Sequence, residues 1–478
     1  MSDSFAFKPI MSQNRNGCSP SDGYVLYFVL VFLIILSVSF IVAVTHSSRT
    51  HILSLRLQQE QQARMLAESG IVRTEFFLNG GDAHNLHWET DSFAETLENW
   101  GTIKIACKPF GVFSRLQSQG IRLRRFCMIS GLLGRNPPKI MDPLLTITGS
   151  TRGLVLDDQS TIAGKVVLDY GPVVRGAGKR PIPGSERWVE NRVSPCLPFD
   201  STSLDSIFDA LETQLAASLS APDAITGDVA ITASNDTLLR HKPLVVLGNA
   251  RIGDIKAANA MIVAAKSVII ESGAILTECS IICDSFSIAN GSTDKCLFYS
   301  RKKMALGGGT HGSQFFCKDS IAIGESVRAG SASVWISRRS VEHDTIRHGG
   351  IVFAAQGDYR GCAICYSDTA DRRRLKVHGP AIVLNEKCDF SGYLVSDGDV
   401  EIAPSRIKGR IWAQSVTGVE NTMKALHWLY RTSIMPLDED LPFPLLGEMP
   451  AKVKFEKAAM VYGRVNCEGR VHVAELKQ

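Results

Sequence analysis

From Gly23 to Val44 the chain reads Gly-Tyr-Val-Leu-Tyr-Phe-Val-Leu-Val-Phe-Leu-Ile-Ile-Leu-Ser-Val-Ser-Phe-Ile-Val-Ala-Val, with no charged residue. That is about 22 residues and roughly 33 Å of helix, enough to cross a bilayer once. A helix satisfies its own backbone polar groups in hydrocarbon, whereas a soluble domain rarely carries so uniform a cylinder. The run also lacks the small-residue exit of a cleaved secretory signal, so it reads as a retained anchor. Residues 45 to 478 are then held beside a membrane surface, and the lipid bilayer is the first expected partner.

The hydrophobic share of 45% and charged share of 21% supply real cores and exclude a wholly disordered chain. A net charge of +4 is too mild for a nucleic-acid binder, so no nucleic-acid partner is expected. The runs Arg301-Lys302-Lys303 and Arg372-Arg373-Arg374 read as solvated loops. Lys8 and Arg15 before the span balance Arg49 and Arg56 after it, so nearby charge does not orient the span. The 12 cysteines are scattered as small core residues would be, apart from the lone pair Cys362-Ala-Ile-Cys365, which lacks the second ligand pair of a zinc site. No metal site and no cofactor are expected.

Helix formers continue from Thr45 to Leu78 with no proline and one interior glycine, Gly70, so one helix is expected through both parts. Leu55, Gln59, Gln62 and Leu66 share a half-apolar face suited to packing on a domain or subunit. A short polar leader ending in Gly23, an immediate apolar helix and the segment Ala67-Glu68-Ser69-Gly70-Ile71 together resemble the start of minor pilins and K-type pseudopilins of type IV pilus and type II secretion systems. The resemblance implies cleavage after Gly23, Tyr24 as a new N-terminus, a helix that packs in a filament core, and partners among pilus or secretion-system components. The chain departs from most pilins at Phe28, where they carry Glu.

From Trp100 to Gly134 the period changes to two, with glycines at 111 and 120 between runs, as in a three-stranded antiparallel meander. Gly134-Arg-Asn-Pro-Pro138 closes that unit. Beyond it a loose unit recurs, apolar-x-Gly-x-apolar, around Gly164, Gly227, Gly392, Gly409 and Gly463. Short β-rich runs six to eight residues apart lie between the copies, which suits a solenoid of short strands with glycine at its corners. The expected fold is mainly β: a long N-terminal transmembrane α-helix, a small antiparallel sheet, then an interrupted parallel β-helix. The expected divisions are 1–22 (leader or cytoplasmic tail), 23–78 (helix), 79–138 (small β domain) and 139–478 (solenoid). The repeat resembles the polymer-forming β-helix of bactofilins, which implies self-association. Two interruptions set it apart: an amphipathic helix near 202–218, with Leu204, Ile207, Phe208, Leu211 and Leu215 on one side, and a proline-rich segment near 421–450 with a short helical pattern.

Catalytic sets are hard to assemble. Asp157-Asp158 and Asp397-Gly-Asp399 are acidic pairs, yet Asp and Gly are also the default residues of exposed turns. His311, in Gly307-Gly-Gly-Thr-His-Gly312, could serve a hexapeptide acyltransferase, but the strict six-residue period is missing, and a glycine-rich excursion between coils explains it equally. The leading expectation is a non-catalytic, single-pass protein of the bacterial inner membrane whose C-terminal region lies in the periplasm or at the surface. The alternatives are a membrane-tethered carbohydrate-active β-helix enzyme and a cytoplasmic bactofilin-like scaffold.

Overall fold

The computed structural model describes residues 20–78, 92–97, 100–149, 153–176, 180–181, 185–187, 197–199, 201–234, 236–239, 243–330, 333–339, 341–342, 345–346, 350–367, 380–438, 441–445 and 458–466. Residues 1–19 of the leader and Arg372–Arg374 lie outside them. As expected, the fold is mainly β: one long apolar N-terminal helix, a small antiparallel sheet, then many mostly parallel strands.

Helix α1 (Pro20–Leu78) is unbroken. Its apolar half is bare among the described residues: Tyr24, Leu30, Phe32, Ile35 and Phe40 are all exposed. Two hydroxyls there bond back into the helix, Ser37 donating to Leu33 O at 2.7 Å and Thr45 to Ile41 O at 2.5 Å, which satisfies those donors in an apolar medium.

The second half of α1 lies on an antiparallel sheet of β1 (Ser92–Leu97), β2 (Gly101–Phe110), β3 (Phe113–Arg122) and β4 (Arg125–Arg135). The three strands expected from 100–134 are β2, β3 and β4, and β1 upstream of that stretch adds a fourth; the turn at Leu123 (φ +52°) falls inside the run read as one strand. Gly120 is not the expected break. It sits within β3 because a Cβ there would meet Ala63 O at 2.0 Å, so the glycine lets the helix backbone approach the strand.

Past β4, strands pair in parallel at a step of about one coil. Ile231, Ile252, Ile270, Ile288, Leu306, Ile323, Phe353, Leu384 and Ile402 form one continuous file of directly paired, buried residues. A second file runs through Phe316, Ile336, Ile364, Val395 and Trp412. It continues to Thr146 and Val167, so the coil nearest β4 in sequence stacks beyond the coil of residues 406–413.

Helix α2 (Thr202–Leu219) falls where its apolar spacing placed it, burying Leu204, Phe208, Leu211 and Leu215, with Ile207 partly buried against the same cluster. Those side chains cover the outer face of the second file: the Phe208 ring meets Tyr299, Phe316 and Tyr366 with centroids 6.1, 5.8 and 6.3 Å apart. The short helical pattern expected in 421–449 is not found among the described residues. The chain there forms the strands Met423–Leu426, Trp428–Leu429 and Ser433–Met435, whose backbone groups pair with neighbouring coils.

Candidate functional site

The seam between α1 and the sheet is made of small residues. Ala63, Ala67, Gly70 and Ile71 are buried on one side of the helix, with Leu66 beside them. A Cβ on Gly70 would fall 2.1 Å from Ser118 Oγ, so this glycine also permits close approach. Glu68 and Ser69 of the same segment are exposed, and Glu68 is taken up by Arg64 at 2.8 Å. Polar contacts flank the seam: Arg125 pairs with Glu60 at 3.1 Å, Arg122 donates to Gln62 at 3.1 Å, and Arg73 pairs with Glu95. Gly23 and Tyr24 lie in the first turns of α1.

Between the sheet and the parallel region sits a clamp that sequence patterning gave no hint of. Gln314 is fully buried; its Oε1 accepts from Val112 N at 2.8 Å and its Nε2 donates to Phe110 O at 2.9 Å, holding the β2–β3 turn as a strand partner would. Nearby, Ser130 donates to Glu278 at 2.5 Å while Arg115 lies 3.7 Å from the same carboxylate and over the Phe110 ring. Two strands of the sheet are thereby tied to one corner of the coils.

The repeat glycines divide into three kinds. Gly361, Gly392 and Gly409 stack directly in register, and a Cβ on Gly392 or Gly409 would lie 1.8 Å from the carbonyl oxygen of the glycine in the preceding coil. Gly164 and Gly227 instead lie between short strands, Gly164 against Leu144 and Gly227 in open space. Gly463 departs from the expectation of a coil position: its strand Ala458–Asn466 runs antiparallel to β4 and forms the fifth strand of the small sheet. The alternating apolar pattern of a sheet edge there mimics one copy of the coil unit.

His311 is fully buried within the strand Ser292–Cys317, and no loop excursion surrounds it. Its Nδ1 lies 3.2 Å from Thr293 Oγ1 and its Nε2 has no partner among the described residues. Burial, opposed by backbone bonds at Gly307 and Gly308, pulls the imidazole down to about 4. Cys362 and Cys365 are both buried on one strand at a spacing that sends them to opposite faces, Cys362 toward α2 and Cys365 into the coil interior. They cannot grip one ion. Burial pushes the Cys365 thiol up to about 12 and the Cys362 thiol higher. No group of three or more potential metal ligands occurs among the described residues.

Arg301-Lys302-Lys303 is strand, not a solvated loop. Arg301 reaches Glu212 of α2 at 3.3 Å and Asp284 at 3.0 Å, and Lys302 reaches Asp284 at 2.9 Å. Lys318 adds a 2.9 Å contact to Glu212, and Tyr299 donates to the same carboxylate. Burial opposes ionisation of Glu212, but these bonds prevail and hold it at about 2.

The acidic pairs also separate. Asp157 accepts from Arg431 N at 3.2 Å in a turn, as the turn reading expects. Asp397 does not sit in an exposed turn: it is buried, pairs with Arg339 at 3.3 Å and accepts from Ser367 N at 2.7 Å. Asp399 instead opens into a cavity of about 480 Å³ lined by Gly149, Pro380, Glu401, Gln414, Ser415, Thr417, Lys424, Leu426 and His427. The cavity arises because the strand Met423–Leu426 folds back antiparallel on Ser415–Glu420 and leaves the outer face of Asp399–Ile402 only partly covered. Within it Ser415 donates to Asp399 at 2.8 Å and Lys424 to Glu401 at 2.6 Å.

No family model and no curated protein matches the sequence. Among solved structures, that of the competence-associated pilin ComZ from Thermus thermophilus is similar over 86% of this chain and 98% of that chain, at 10% identity and a TM-score of 0.21. A superposition of that score carries no argument about fold or role. The comparisons give the bactofilin resemblance no support.

Proposed function

We propose that this chain is a membrane-anchored structural or assembly protein of the bacterial envelope, with a pilin- or pseudopilin-like N-terminal unit that displays a parallel β-helix. The observation that carries the reading is α1 itself. One helix bears a bare apolar half, long enough to cross a membrane, and a second half seated on an antiparallel sheet through Ala63, Ala67 and Gly70. A helix with that division of faces anchors at one end and presents a folded unit at the other. In this reading the parallel files are the faces of β-helical coils, Gly23 precedes a processing site, and the region after α1 is periplasmic or surface-exposed. Pilus or secretion-system components are the partners, and the coils are a scaffold, not a catalyst.

Support for a scaffold comes from where the charged groups are spent. Asp397, one of the acidic residues weighed for an enzyme, is tied to Arg339 and to Ser367 N, and Glu212 is held by three donors, so both carboxylates serve packing. The test is topology. In spheroplasts, added protease should degrade a C-terminally tagged chain, and carbonate extraction should leave the chain in the membrane pellet. A tag that survives protease until the membrane is permeabilised, or a chain released by carbonate, would refute the reading.

A further inference from the structure

The cavity beside Asp399 is a binding site in its own right, and we infer that it takes a neutral sugar residue. Its wall offers hydrogen-bonding groups that the fold leaves unused. Asp399 spends one oxygen on Ser415; the amide of the half-buried Gln414 and the hydroxyl of Thr417, a buried residue, make no bond among the described residues; and His427 Nδ1 is buried without a partner there. A buried polar group left unpaired is costly, so the His427 nitrogen beside the unengaged Gln414 and Thr417 side chains suits a ligand with many hydroxyls. Hydroxyls both donate and accept, which matches a carboxylate oxygen, an amide with both functions, a hydroxyl and an imidazole.

Charge narrows the class. Asp399 and Glu401 face one cation, Lys424, and burial holds the His427 imidazole below its ordinary value against the opposing pull of Asp399. The site therefore carries a net negative charge near neutrality and disfavours phosphates, sulfates and uronates. Leu426 and Pro380 add an apolar flank on which the C–H face of a ring can rest. The volume of about 480 Å³ lies within the range of small-molecule sites. Lys424 donates to Glu401 at 2.6 Å, so that carboxylate is engaged within the protein, and the site is read as one that binds without cleaving.

The test uses the full chain in lipid nanodiscs, since a maltoside or glucoside detergent would itself compete. Saturation-transfer NMR is run with methyl hexosides, N-acetylhexosamines and hexuronates at about 10 mM, a concentration that detects weak binding. Neutral sugars should show transfer, with affinity falling about tenfold in Asp399→Ala and in the near-isosteric Thr417→Val, each losing one hydrogen bond to the ligand. Thermal unfolding of both variants confirms that they fold. Transfer confined to hexuronates, transfer unchanged in both folded variants, or none from any neutral sugar would overturn the inference.

Discussion

Replacing Gly409 by alanine is the sharpest probe of the coil stack. The residue has φ +147° and stands directly under Gly392, which stands under Gly361. An added Cβ would lie 1.8 Å from Gly392 O and 2.8 Å from its carbonyl carbon, so both backbone atoms would have to yield. Backbone strain at such a φ is worth about 1–3 kcal/mol, and forcing a group into a packed ladder adds about 1–3 kcal/mol. The sum is about 2–6 kcal/mol. Gly227 is the internal control: its φ is +94°, but nothing lies within 4 Å of the added Cβ, so Gly227→Ala should show the strain alone. Urea unfolding of the full chain in detergent, followed by tryptophan fluorescence, reads both, and Trp412 on the same strand as Gly409 is a local reporter. The midpoint should fall at least twice as far for Gly409→Ala as for Gly227→Ala. Equal shifts would refute the claim that direct stacking, not backbone conformation, demands glycine at 409.

Two further outcomes follow from buried polar groups. Gln314→Ala leaves the Val112 N–H and the Phe110 carbonyl without their clamp and should cost about 1–3 kcal/mol by the same urea assay, with limited proteolysis at the β2–β3 turn accelerated. His311, held at about 4 against an ordinary 6.5, stabilises the fold fully above about pH 6.5 and loses that contribution as the pH falls toward 4, a swing of about 3 kcal/mol to which His427 adds in the same direction. Glu212, depressed to about 2 from 4.5, acts in a separate window, its contribution present above about pH 4.5 and lost below. The slope of stability between pH 6.5 and 4 should flatten in His311→Gln, and an unchanged slope there would show that this imidazole is not the titrating group.

What could be read from the chain was whatever local periodicity encodes. A charge-free run marked the apolar half of α1, the 3.6-residue spacing of Leu204, Phe208, Leu211 and Leu215 marked α2, and short apolar runs six to eight residues apart fell on mostly parallel strands. Partner choice was not legible. Gly463 carries the same unit as Gly409 yet pairs with β4, because an alternating apolar segment fits any exposed strand edge. Asp397 and Arg301 looked like surface residues since nothing local reveals that Arg339 or Glu212, far away in sequence, will stand opposite. The cavity at Asp399 was half visible, as its Asp was singled out while Gln414, Thr417 and His427 carried no motif.

The order of the coils gives the molecule its mechanical logic. The chain leaves β4 and at once places Leu145 against Ile411, beyond the coil of residues 406–413, so the parallel region is entered at its far end in sequence. Helix α2, about 27 Å long, covers roughly five or six rungs of the second file and returns the chain to the coil that begins near Ile225. The stack then grows back until Phe443 pairs with Arg135 at the end of β4 and Ala458–Asn466 joins the same strand. Both ends of the parallel region thus converge on the sheet that seats α1. Gln314 and Glu278 grip the β2–β3 and β3–β4 side of that sheet from the coils between. A parallel region tethered by one chain end alone would pivot on its linker, whereas one held by both chain ends and an interior clamp is fixed to the sheet that seats α1.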